Sequence, residues 1–148
     1  MTIRTATARP EADEHAPYYA GYINQVPEGD ILDHLSTQVE RTLSLLAGVT
    51  TEQAVLRPAP DQWSINEVIC HVADTERIFS YRALRIGRGD TTPLPGFNQE
   101  PYVEAADANT RPLADLLAEF AAVRQATIWL FRSLPEAAWD RRGRVGTW

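Results

Sequence analysis

In three long stretches of this chain, apolar residues recur every three or four positions, and no segment alternates with period two over the length of a strand. A chain patterned this way buries its apolar surface by packing helices side by side, so the expected fold class is all-α. The first helix is expected over about residues 31–47, with Leu32, Leu35, Val39, Leu43 and Leu46 on one face. Asp30 stands where it can accept the first free amides, Asp33 sits in the positive first turn, and Gly48 stops the pattern. A short helical turn around Thr51 to Leu56 precedes the breaker run Arg57-Pro58-Ala59-Pro60.

The second helix, about residues 64–88, has the sharpest start. Ser64 and Glu67 form a capping box directly before an apolar run, and Ile65, Val68, Ile69, Val72, Phe79, Ala83 and Ile86 form its stripe. Arg82, Arg85 and Arg88 then suit the negative end of the helix dipole, and Gly89 follows. The third helix, about residues 112–134, has Thr110 as its expected cap and ends at Pro135. Its stripe is Leu113, Leu116, Leu117, Phe120, Val123, Thr127, Phe131 and Leu134. The connection from Gly89 to Thr110 exceeds the ~2–8 residues usual between bundled helices, so it can carry the chain back along the bundle. That makes the second and third helices parallel, and the shorter first link makes the first two antiparallel.

The chain of 148 residues is read as one domain, 1–148, with an N-terminal extension over about 1–29. No apolar run approaches the ~20 residues of a membrane span, and Met1 to Pro10 contain no secretory apolar region, so no membrane is expected as a partner. A single cysteine and the absence of an Asn-x-Ser/Thr sequon suit a reducing cytoplasm. The net charge of -6 argues against nucleic acid, which calls for a basic stripe. Every basic residue is arginine, which excludes lysine Schiff bases and phosphate-binding P-loops.

On the second helix Glu67, His71 and Asp74 fall at i, i+4 and i+7, in one sector beside the apolar stripe. A histidine with a carboxylate one turn away on either side can be a metal ligand with its orienting partners, or a half-exposed histidine among surface ion pairs. Arg124 lies within the third helix's stripe and must either snorkel to water or meet a carboxylate, for which Glu67 and Asp74 are the expected partners. Cys70 points ~100° away from His71, so it reads as a small buried apolar residue and not a nucleophile. Trp63 reads as packing beside the capping box or lining a pocket, and Tyr18, Tyr19 and Tyr22 as pins holding the N-terminal segment over the helices. His15 and His34 read as surface histidines, and Arg88-Gly89-Asp90 as a chance adhesion tripeptide.

The run Trp63-Ser64-Ile65-Asn66-Glu67-Val68-Ile69-Cys70-His71-Val72-Ala73-Asp74-Thr75-Glu76 resembles the second-helix motif of the DinB-like superfamily. The likeness continues through Tyr81-Arg82, Gly89-Asp90, Pro93-Leu94-Pro95-Gly96-Phe97, Pro101-Tyr102 and the helix from Leu113 to Arg124, spanning about Tyr18 to Arg142. The resemblance implies an up-down four-helix bundle with a long crossover between helices two and three. It also implies a divalent metal (Zn, Ni, Mn or Fe) held by one histidine of helix two and two of helix four. The implied activity is that of a metal-dependent hydrolase or a transferase using a low-molecular-weight thiol such as bacillithiol, mycothiol or glutathione.

Carried over by position, His71 matches the metal ligand of helix two, and Asp74 the residue that follows it in the motif. Asp74 or Glu67 would orient His71 or act as a base. No histidine follows His71. The fourth helix is therefore expected to be truncated or absent, leaving apolar stripes to be covered by the N-terminal segment, by a missing helix or by a homodimer. The alternative expectation is a non-catalytic, dimerising helical module that has lost the metal site.

Overall fold

Side chains that accept otherwise unpaired amide protons set most of the helix starts. The computed structural model describes residues 9–146. Within them the chain is all-helical, with α1 over Ala20–Gln25, α2 over Ile31–Leu46, α3 over Thr51–Val55, α4 over Ile65–Gly87, α5 over Gln99–Ala106 and α6 over Leu113–Arg132. Asp30 accepts from Leu32 N at 2.8 Å and caps α2. A Thr50–Gln53 capping box opens α3, and the Ser64–Glu67 box opens α4. Gly89, at φ +82°, closes α4 in the left-handed region that glycine adopts without strain.

The third long helix departs from expectation at its start. Thr110 lies in a 3-10 turn, Ala108–Thr110, and its hydroxyl donates to Asp107 O at 2.8 Å. That hydroxyl is spent locally. Pro112 precedes α6 without a capping side chain. The long connection also carries α5, whose first turn is capped by Asn98.

Side-chain contacts fix the helix directions. Arg77 reaches Glu119, Ser80 reaches Thr127, and Gly87 lies against Leu134, so α4 and α6 run parallel. Leu35 and Gln38 meet Arg124, while Val39 and Leu46 pack on the cluster around Leu116 and Phe120, so α2 runs antiparallel to both. The crossover arrangement expected from loop length is the one observed. The core is Ile69, Cys70, Ala108, Leu116 and Phe120. Val68 and Phe79, assigned to the buried stripe of α4, are exposed. The helix instead turns Asn66, Glu67, Ile69, Cys70 and Ala73 inward against α6 and the 108–111 turn.

Beyond α6 the described chain forms a 3-10 turn, Glu136–Ala138, and then an extended tail. Leu94 N donates to Arg144 O at 2.9 Å, and Gly146 N to Leu94 O at 2.8 Å. Among the described residues no fourth long helix follows Arg132, and no helix is long and apolar enough to cross a membrane. The tyrosine cluster does not pin the N-terminal segment by burial. Tyr18 packs edge-on to Tyr19 and against Tyr22, yet all three rings are exposed. Arg9 does the pinning, donating to Ile23 O at 2.7 Å and to Val26 O at 2.6 Å.

Candidate functional site

The first two turns of α4 carry the site. Its capping box places Glu67 with both carboxylate oxygens already engaged. Oε2 accepts from Ser64 N at 2.8 Å and from Arg57 Nε at 2.9 Å, and Oε1 pairs with the second guanidinium nitrogen of Arg57. Glu67 is only 5% exposed, and the Arg57 hydrogen bonds hold its pKa below the ordinary carboxylate value against the opposing effect of burial. The Arg57-Pro58-Ala59-Pro60 run, expected only as a breaker, thus delivers the cation that neutralises Glu67.

Beneath the box, Ser64 Oγ donates to Asn109 Oδ1 at 2.7 Å. Asn66 Nδ2 donates to Ala108 O at 3.2 Å and Arg111 O at 2.9 Å. These bonds tie the start of α4 to the turn that precedes α6. Asn66, 1% exposed, leaves its Oδ1 without a hydrogen-bond partner.

His71 lies one turn further on, half-buried. Its ring packs against Trp63 with centroids 4.8 Å apart, and Nδ1 lies 3.4 Å from Thr75 Oγ1. Burial lowers its pKa, and the carboxylates of Asp74 and Glu100 oppose that shift. The imidazole is therefore held neutral at pH 7, the form that can ligate a metal or accept a proton. In the tautomer whose Nδ1–H donates to Thr75 Oγ1, Nε2 carries the lone pair, and no hydrogen bond to Nε2 forms among the described residues.

Asp74 acts on His71 through its charge but makes no hydrogen bond to it. It accepts from Arg77 Nη1 at 3.2 Å, and Arg77 also reaches Glu119 at 2.6 Å. Glu119 takes a second arginine, Arg111, at 2.5 Å. The two carboxylates expected to flank His71 are therefore each held by an arginine. Burial, followed by Asp74 and Glu119, pushes the Cys70 thiol up, so it stays protonated at neutral pH.

Arg124 meets neither Glu67 nor Asp74 but Glu76, donating to both its oxygens at 2.8 to 3.1 Å. It also donates to Leu35 O and to Gln38 Oε1, each at 2.9 Å, and covers the Phe120 ring at 5.1 Å. The signal for Glu76 was present in the sequence. It sits seven residues after Ile69 and four after Val72, inside the apolar stripe, where an acid needs a buried cation. Asp90 of the Arg-Gly-Asp tripeptide is likewise taken, by Arg85.

The family model of the DinB superfamily matches residues 34–147. The chain belongs to the DinB superfamily. No curated protein and no solved structure matches the chain. The family match takes in α4 with His71 and the Arg124–Glu76 pair, and excludes α1 and the segment before it.

Set against the donors that a DinB divalent metal would need, the described residues fit only in part. His71 offers one imidazole nitrogen, but Glu67 and Asp74 are engaged by arginines. Among the described residues no three histidine, cysteine or acidic side chains are gathered as a metal would require. His34 is not near the site; its Nε2–H donates to Glu28 O at 3.0 Å at the start of α2.

Proposed function

We propose that this DinB superfamily chain contributes to a metal-dependent hydrolase or thiol transferase through His71, with the remaining ligands supplied by polypeptide outside the described residues. The observation that carries this reading is the state of His71. The ring is fixed by Trp63 and Thr75, held neutral by burial, and has an unbonded Nε2. Glu67 is assigned the structural role of closing the capping box. Asp74 sets the local charge beside His71. Arg57 and the Ser64 amide take both oxygens of Glu67, whereas Arg77 takes one oxygen of Asp74, whose Oδ2 stays available to orient His71 or accept a proton.

Metal analysis of the purified chain tests the reading. Bound Zn, Ni, Mn or Fe near one per assembled site, lost in His71→Ala with the helical content unchanged, is the expected outcome. Absence of metal, together with unchanged properties of His71→Ala, overturns it.

A non-catalytic module that pairs with itself is the second reading. It draws on the apolar groove of about 340 Å³ between α4 and α6, lined by Tyr81, Leu84, Val123 and Leu130. Leu84 is 39% exposed there, and Trp129 on the neighbouring surface 62%. A self-pairing groove predicts a dimer in sedimentation equilibrium that Leu84→Glu converts to a monomer. A monomer at all concentrations would remove this reading.

A further inference from the structure

The segment before α2 lies outside the part of the chain that matches the DinB superfamily, and it builds a cavity of its own. This cavity, about 310 Å³, is lined by Ile23 and Val26 of the segment, by Ile31 and Leu35 of α2, and by Phe131 and Trp139. It sits where α2 begins and α6 ends, at the opposite end of the bundle from His71. Phe131 and Trp139 form its floor as a tilted ring pair with centroids 5.7 Å apart.

Two arginines hold the segment in place. Arg9 binds the carbonyls of Ile23 and Val26 and pairs with Glu28 at 3.1 Å. Arg142, from the tail, reaches Asp13 at 3.2 Å and Glu14 at 3.0 Å. Of the charged side chains that line the cavity, Arg9 and Glu28 pair with each other, and the rest of the lining is largely aliphatic and aromatic.

We infer that this cavity is a binding site for a small uncharged apolar molecule of one or two rings, closed over by the N-terminal segment. Size supports the class, since cavities of ~150 Å³ lined by aliphatic and aromatic side chains accept benzene, and ligand pockets begin at ~300 Å³. Charge supports it as well, because the cation and the anion of the lining, Arg9 and Glu28, pair with each other at the exposed edge, and an ion among Ile23, Leu35, Phe131 and Trp139 would meet only apolar side chains.

Toluene titrated into the full chain, followed by the methyl resonances of Ile23, Ile31 and Leu35 and the Trp139 indole N–H, tests the site. Saturable shifts confined to these groups, with half-saturation at or below about 1 mM, are expected. Benzylammonium, the same ring with a charge, should bind about tenfold more weakly. Leu35→Phe fills the cavity and should abolish the shifts, provided the circular dichroism of the variant is unchanged. Arg9→Ala removes the exposed clasp and part of the cavity's edge, and should weaken binding several-fold whether or not the Leu35 variant folds. Shifts at Tyr81, Leu84 and Leu130 instead, equal binding of benzylammonium, or unaltered affinity in Arg9→Ala would each overturn the inference.

Discussion

Two polar centres sit on α4 little more than one turn apart, at His71 and at Glu76, and they have opposite chemistry. At Glu76 every strong donor and acceptor is matched. Arg124 bridges the Glu76 carboxylate, the Gln38 amide and the Leu35 carbonyl, joining α2, α4 and α6 at one buried point. At His71 the helix's own carboxylates, Glu67 and Asp74, are paired with arginines, Glu100 is not, and the imidazole has only a weak contact to Thr75. The difference separates structural from reactive polarity. A buried charge with all its hydrogen bonds made holds helices in register, whereas a half-buried neutral base with an unbonded nitrogen is positioned for a ligand.

The largest effect should come from breaking the closed centre. Arg124→Ala leaves Glu76 buried and unpaired, and should cost about 3–5 kcal/mol of unfolding free energy in urea titrations. Replacing both partners with leucine should recover most of that loss, because the desolvation of two charges disappears with them. A cost below about 1 kcal/mol for Arg124→Ala would show that the pair is not the structural hub described here.

The Arg57–Glu67 pair is intermediate, since Glu67 is buried while Arg57 is about half exposed. Glu67→Gln should therefore cost only about 1–2 kcal/mol at pH 7, after allowance for solvent screening. The pH dependence has a definite sign. The folded pKa of Glu67 is lowered, so its contribution is present above the ordinary carboxylate value and is lost as pH falls through the lower folded value. Wild type should lose stability over that acid window, and Glu67→Gln should lose less. Parallel pH curves for the two proteins would remove Glu67 from the account.

Ser64→Ala should follow at about 1 kcal/mol, from loss of the cap to Glu67 N and of the bond to Asn109. A destabilisation smaller than that of an ordinary surface substitution would mean that the turn at 108–111 does not depend on this cap.

How far these centres could be read from the sequence depends on range. The capping box Ser64–Glu67, the Asp30 cap of α2 and the parallel packing of α4 with α6 follow from local chemistry and loop length, and the structure has these three. The partner of Arg124 does not follow, because choosing Glu76 over Glu67 or Asp74 requires the register between two helices forty-eight positions apart in the chain. Arg57 is a similar case: a residue inside a proline-rich breaker gives no periodic signal, yet the turn folds it onto Glu67. Thr110 misled because its hydroxyl has a closer acceptor in Asp107 O. The arginine-only composition gains a structural reading at these places, since a forked guanidinium can meet Glu76, Gln38 and Leu35 together where an ammonium could not.

The smallest stability effect should fall at the open centre, and it sharpens the comparison most. His71→Gln loses the ring contact with Trp63 and a weak bond to Thr75, which together amount to about 0.5 kcal/mol. No helix is tied to another through His71, so urea midpoints of wild type and variant should nearly coincide. Whatever metal or substrate His71 serves should nevertheless be lost in the same variant. A stability loss approaching that of Arg124→Ala would make His71 a second structural hub, and the distinction between the two centres of α4 would fail.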